Sequence, residues 1–214
     1  MMQLVHASRP ATASRGHVGY ARSLTAVIAV VAGLSWAPRP AAADDAPSAF
    51  IGSLGQQALA VIHRPDIAID GKTAYFRQLL RQDFDMTGMS QFVLGPYWRV
   101  ASPVERQQFS DLLTQRIVDV YGRRLAQAGD GNFVVTGSRT SPNGVVVTSQ
   151  IIPWQGAPIT VDWRLAVSDG HYAIEDVAID GVSMVVAERS EIGDQIARDG
   201  GQLPALLAGM REED

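Results

Sequence analysis

Past residue 43 the chain holds two histidines, His63 and His171, and the whole chain has no cysteine. Neither histidine belongs to a His-x-x-x-His or Glu-x-x-His pattern, so the sequence spells out no metal ligand set. The absence of cysteine removes disulfides, thiolate ligands, a Cys nucleophile and a lipidated N-terminal Cys. Gly-x-Ser-x-Gly is missing; Gly52-Ser-Leu-Gly55 has other spacing and falls in a helical stretch. Gly129-Asp-Gly131 follows a helix instead of opening one, so it is no phosphate cradle. The carboxylates are scattered. Glu175 and Asp176 are neighbours on an expected strand and so point to opposite faces. Asp162 and Asp176 are expected to meet across a hairpin as a solvent-side pair with Arg164 nearby, and His171 to sit solvated at a turn edge. Nothing assembles a nucleophile, a base and an orienting group. No catalytic residue, metal or cofactor is expected.

What stands out instead is apolar and aromatic, and its periodicity assigns the elements. Phe50, Leu54, Ala58 and Val61-Ile62 recur at helical spacing; a second helix starts near Asp70, and a third holds Met86, Met89, Phe92 and Val93 and stops before Gly95-Pro96. Ser102-Pro103-x-Glu105 is a capping box with Pro in the first helical position. It opens a long helix with Phe109, Leu113, Ile117 and Tyr121 on one face, expected to end near Ala128-Gly129. The period then changes from 3.6 to 2. Strands are expected at Phe133–Gly137, Val145–Ile152, Ile159–Val167 and His171–Ile179, joined by turns at Pro142-Asn143-Gly144, Pro153-Trp-Gln-Gly156 and Ser168-Asp169-Gly170. Short turns force an antiparallel meander. Helices follow from Met184 to about Arg198 and from Leu203 to Met210. The fold class is α+β: N-terminal helices packed on a four-stranded antiparallel meander sheet, with C-terminal helices. Along Ile159–Val167 the odd residues should face the helices, while Thr160, Asp162 and Arg164 face outward.

The first 43 residues read as an address. Arg9, Arg15 and Arg22 precede an uncharged 11-residue run, Leu24 to Leu34, then Pro38, Pro40 and Ala41-Ala-Ala43. A membrane span needs about 20 residues, so this is the order of a secretory signal peptide. Cleavage after Ala43 would leave one domain, residues 44–214, outside the cytoplasm. That portion carries 14 basic and 22 acidic residues. A net −8 without a basic cluster argues against nucleic acid and against electrostatic docking on anionic lipid.

The order of several blocks resembles a known family. Phe84-Asp-Met86, Gly95-x-x-Trp98-Arg99, Ser102-x-x-x-Arg106-x-x-Phe109 and Tyr121 are similar to the helical half of the Mla-pathway periplasmic phospholipid-binding proteins, also called toluene-tolerance auxiliary proteins. Tyr172-Ala-Ile-Glu-Asp176-Val177, Asp180-Gly181-Val182-Ser183 and Arg189 resemble its second half. Tyr172 stands where the family usually has Trp, and Ile192 where an aromatic is expected, which points toward a side branch such as the hopanoid-associated one. The resemblance implies a monomeric lipid carrier, with phospholipid or hopanoid tails in an apolar cavity. It would shuttle lipid between an inner-membrane transport complex of the ABC type and an outer-membrane complex. Burying one CH₂ is worth about 0.8 kcal/mol, so a sixteen-carbon tail resists water by roughly 12 kcal/mol, which a carrier's cavity must replace.

Such a cavity is expected between the sheet and the long helix. Its walls would be Val147, Ile151, Ile159, Val161, Trp163 and Ile174 against Phe109, Leu113 and Ile117, with Tyr97, Trp98 and Tyr121 near the mouth. Two other readings stay open. One is a small cone-shaped isomerase or dehydratase using His171 with Asp162 or Asp176; the other is an adaptor with a filled interior.

Overall fold

The structure is a computed structural model and describes residues 46–122, 131–168 and 170–212. The expected signal peptide, the expected helix end at Ala128-Gly129 and Asp169 of the third turn lie outside the described residues.

Local chemistry sets most of the boundaries. Helix α1 (Ala46–Ile62) stops shortly before Pro65, whose ring disfavours helical backbone at the preceding residue. Helix α2 spans Ile69–Asp83. Helix α3 (Met86–Leu94) is capped by Asp85, whose carboxylate accepts from the Gly88 N–H at 2.9 Å. It ends at Gly95, where φ is +57°, a conformation that costs a side-chain-bearing residue about 1 kcal/mol or more. A short α4 (Tyr97–Val100) follows. Helix α5 (Pro103–Ile117) opens on the expected capping box, with the Ser102 and Glu105 side chains bonding each other's backbone N–H. Here the structure departs from expectation: regular helix ends at Ile117 and widens into a π turn, Val118–Gly122. The wider turn keeps Val118 buried while Gly122 passes flush against the Phe76 ring, which a Cβ would meet at 2.8 Å.

Five strands form one sheet in the order β1-β2-β3-β4-β5, every neighbour antiparallel. They are β1 (Gly131–Ser141), β2 (Gly144–Pro153), β3 (Ile159–Ser168), β4 (His171–Ile179) and β5 (Val182–Ser183). The fifth corrects the expected four. Two residues after an Asp180-Gly181 turn are too short to show a period of two, so β5 is invisible to alternation. Two further helices close the chain, α6 (Met184–Arg198) and α7 (Leu203–Glu212).

Register puts Val147 opposite Trp163, Ser149 opposite Val161 and Ile151 opposite Ile159, and Trp163 opposite Val177. Directly opposed residues share a face, so Val161, Trp163 and Leu165 of β3 turn inward as expected, while Val167 at the strand's end is exposed. A bulge at Arg164/Leu165 then sets Leu165 against Ile174. Helix α1 lies on β1 and β2, and α2 packs against β4. Two apolar cores result. One joins Ile51, Leu54 and Leu79 to Val147, Leu165 and Ile174 of the sheet. The other joins α3, α5, α6 and α7 around Phe109, Leu113, Ile192 and Leu206. Helix α2 is the wall between them: Leu79 belongs to the sheet core and the next residue, Leu80, to the helical core.

Candidate functional site

Nine of the twelve expected wall and mouth residues divide between these two cores, and Val161, Ile151 and Ile159 belong to neither. Val147 and Ile174 are fully buried in the sheet core, with Trp163 packed at its margin. Val161 is buried in register with Ser149, and Ile151 and Ile159 are half-buried where β2 and β3 end. Phe109, Leu113 and Ile117 are fully buried too, but in the helical core. Tyr97, Trp98 and Tyr121 edge that same core. Helix α5 packs on α2, α3 and α7, so the covering of the sheet falls to α1 and α2 instead. Amphipathic pattern shows that α5 has a buried face; it carries no statement of what that face meets.

The sheet's covered face is aromatic and almost fully apolar. Phe133 meets Trp163 edge-on, centroids 6.2 Å apart, and Phe50 of α1 lies against Tyr172 at 5.7 Å. One polar group is built in and satisfied: the Trp163 indole N–H donates to Ser149 Oγ at 2.8 Å, and that hydroxyl donates to the Val161 carbonyl. Helix α1 approaches closely because of two glycines. At Gly55 a Cβ would fall 2.3 Å from the Phe133 ring, and Gly52 faces Val135. These glycines first drew notice only as a failed serine motif; the usable signal was two small residues three apart beside Ile51 and Leu54.

Clefts open on both sides of α1. One, about 440 Å³, runs between α1 and β1 with Phe133 and Val135 as floor and Ser48, Ser53 and Gln56 at its edge. The other, about 200 Å³, separates α1 from α2 over Leu54, Leu79 and Tyr75, edged by Gln57, Gln78, Gln82 and Asp83. Burial raises the Asp83 carboxyl above the usual range. Floors are apolar, and the edges carry amides and hydroxyls together with the Asp83 carboxyl.

The outer face of the sheet is different. Asp162 points outward, accepting from Thr148 Oγ1 at 2.5 Å and standing 3.4 Å from Arg139. The expected solvent-side pairing of Asp162 with Asp176 does not form: Asp162 is opposite Ala178, and Asp176 opposite Arg164. Asp176 is 2% exposed. It accepts from the Ser183 hydroxyl at 2.6 Å and from the Val185 N–H at 3.2 Å, so it anchors the start of α6. Ser183 in turn caps α6 by accepting from the Val186 N–H.

The arginines of the sequence blocks are also placed. Arg189 of α6 donates to the Phe92 carbonyl at 2.7 Å and lies over the Phe92 ring. Arg106 of α5 donates to the Trp98 carbonyl at 2.9 Å and lies over the Trp98 ring. Each guanidinium ties down a carbonyl near the C-terminal end of a short helix, α3 or α4, where helix-internal partners run out. Arg116, itself partly exposed, pairs with the buried Glu188 at 2.8 Å and also bonds Glu191. Burial, set against the Arg116 charge, leaves the Glu188 carboxyl above its usual range.

A family model described as MlaC protein matches residues 53–212, which takes in α1 from Ser53 onward and every later element described here. The chain belongs to the MlaC protein family. Among solved structures it is similar to the phospholipid-binding protein from Ralstonia solanacearum in complex with a phospholipid, with 23% identity and a TM-score of 0.67. The match covers 77% of this chain and 94% of that one. At that identity the likeness speaks for the fold. In this MlaC family member the blocks that carried the resemblance hold helices in place: Asp176 and Ser183 start α6, and Arg106 and Arg189 finish α4 and α3. No helix among the described residues is long and apolar enough to cross a membrane.

Proposed function

We propose that the chain is a periplasmic lipid carrier and not an enzyme, holding lipid tails on the covered face of the sheet under α1. The observation that carries this is the pair of clefts flanking α1, whose floors are the sheet core and whose edges carry hydroxyls and amides, with the Asp83 carboxyl at the edge between α1 and α2. A cleft of about 440 Å³ falls within the roughly 300–1,000 Å³ of small-ligand sites. Tails enter by taking over the contacts that Ile51 and Leu54 make with Val147, Leu165 and Trp163. The headgroup stays at the edge, among Ser53, Gln56, Gln57 and Gln78. Tail-contacting residues are then the sheet half of the expected set: Val147, Ile151, Ile159, Val161, Trp163 and Ile174. Phe109, Leu113 and Ile117, with Tyr97, Trp98 and Tyr121, support the helical side.

Family membership and the phospholipid held by the Ralstonia relative support this reading. The outward place of Asp162, and the use of Asp176 to start α6, favour it over the isomerase alternative, which needs an acid inside the apolar face. The mature domain begins near Asp44 after signal cleavage. It carries phospholipid or hopanoid between inner- and outer-membrane complexes as a monomer. Solvent extraction of the protein purified from periplasm, followed by mass spectrometry, tests this. Near-stoichiometric lipid is expected; protein that yields none, and takes up none when mixed with labelled phospholipid, overturns it.

A further inference from the structure

The turn joining β2 to β3 is unlike the rest of the surface. Trp154 is 86% exposed, and its indole has no partner among the described residues. It follows Ile152 by two positions, and Ile152 and Val134 are also exposed on the outer face at this end of the sheet. Pro153, Gln155, Gly156, Ala157 and Pro158 complete the turn, and residues 140–161 contain no Asp, Glu, Lys, Arg or His. A recess of about 480 Å³ beside the indole is lined by His63, Gly131, Asn132, Ile152 and Pro153. The nearest acid in the ladder, Asp180, spends a carboxylate oxygen on the Thr160 N–H at 3.0 Å.

A soluble chain holding a tryptophan this far into water forgoes the gain from burying a large ring. We propose that the Trp154 turn seats on the interfacial zone of a bilayer with zwitterionic headgroups. Charge decides between surfaces. An uncharged tip has no ion to desolvate on entering that zone, where tryptophan is enriched, whereas residues 44–214 carry a net −8 and are repelled by anionic lipid. A charged protein partner would call for complementary ions around the aromatic anchor; here Gln155, Asn132 and His63, with prolines, glycine and alanine, surround it without a carboxylate, lysine or arginine. The seating needs no tail site, so it stands or falls apart from the carrier reading.

Sedimentation with phosphatidylcholine vesicles tests it. The wild-type chain is expected to pellet with vesicles and to do so equally at about 0.5 M salt, where charge attraction is screened. Its emission shifts to the blue and is quenched by acyl-chain-brominated lipid. Trp154→Ala should weaken partition at least about tenfold, and Trp154→Phe should partition within about threefold of wild type while losing the spectral response. Far-UV circular dichroism of both variants should match wild type, because the side chain packs on little. No vesicle binding, binding lost in salt, or equal binding by Trp154→Ala overturns the proposal. So does a Trp154→Ala protein that purifies with less lipid, since that places the indole in the tail site. Vesicle binding by a wild-type chain that extracts without lipid upholds the tip and removes the carrier reading.

Discussion

Replacing Asp176 with alanine removes one carboxylate and disturbs the start of a fifteen-residue helix. The carboxylate is buried, accepts the Ser183 hydroxyl at 2.6 Å and the Val185 N–H at 3.2 Å, and faces the N-terminus of α6. Stranding a buried N–H costs about 1–3 kcal/mol, losing a charge-assisted bond from a hydroxyl about 1 kcal/mol, and losing the favourable helix-terminus charge about 0.5 kcal/mol. Arg164, 3.8 Å away and half exposed, adds little. The expected loss is therefore about 3 kcal/mol. With a urea slope of about 2 kcal/mol per molar, the midpoint falls by about 1.5 M. Urea unfolding followed by far-UV circular dichroism reads this directly. Asp176→Asn keeps one acceptor and should lose about half as much. Ser183→Ala alone should cost about 1 kcal/mol and, because it shares the bond, less than that in the Asp176→Ala background. The reasoning fails if Asp176→Ala costs under about 1 kcal/mol, or if Asn is as damaging as Ala.

Three other expectations follow from the same geometry. Arg116→Met strands the Glu188 carboxylate, which is 3% exposed; a buried charge left without its partner loses about 3 kcal/mol near pH 8. Burial already raises the Glu188 carboxyl and Arg116 opposes that, so removing Arg116 raises it further. A raised folded-state pKa means stability is intact at acid pH and lost as pH climbs through that value, so denaturation curves of the variant should lie nearer wild type at pH 5 than at pH 8. Gly55→Leu drives a side chain into the Phe133 ring, 2.3 Å from where its Cβ would stand; the expected cost is about 1–3 kcal/mol, with reduced labelled-lipid uptake as the functional readout. Asp162→Asn alters an outer-face contact only, so unfolding should shift by less than about 1 kcal/mol and extracted lipid should match wild type.

What the sequence made legible was chemistry settled within a few residues. Ser102-Pro103-x-Glu105 specifies a helix start whatever surrounds it, and the box forms. The alternation from Ile159 to Val167 faces Val161 and Leu165 inward and Asp162 outward, because a one-residue slip would bury an acid and a base. What stayed hidden depends on partners distant in the chain. An apolar stripe on α5 does not say whether it meets the sheet or α7, and it meets α7. Asp176 reads as one more polar strand residue until the chain turns at Asp180-Gly181 and brings Val185 back beneath it. Gly52 and Gly55 lower helix propensity in isolation, and their purpose appears only when Phe133 arrives from 78 residues downstream. The candidate site was therefore half visible: its floor came from strand alternation, while its roof, α1, came from the fold.

Consecutive residues on a helix point about 100° apart, and α2 uses that angle to divide its loyalties between Leu79 and Leu80. The two cannot be moved separately. Any rotation that withdraws Leu79 to admit a guest over Val147 and Ile174 turns Leu80 among Phe109, Val93 and their neighbours. Packed interiors answer such turns by switching arrangement, not by yielding a little. With tails on the sheet side, as proposed, a full and an empty protein would then differ on the helical side as well. A partner reading only α3, α5 and α6 could tell them apart, the helix serving as an axle that carries word of the cargo from one room to the next.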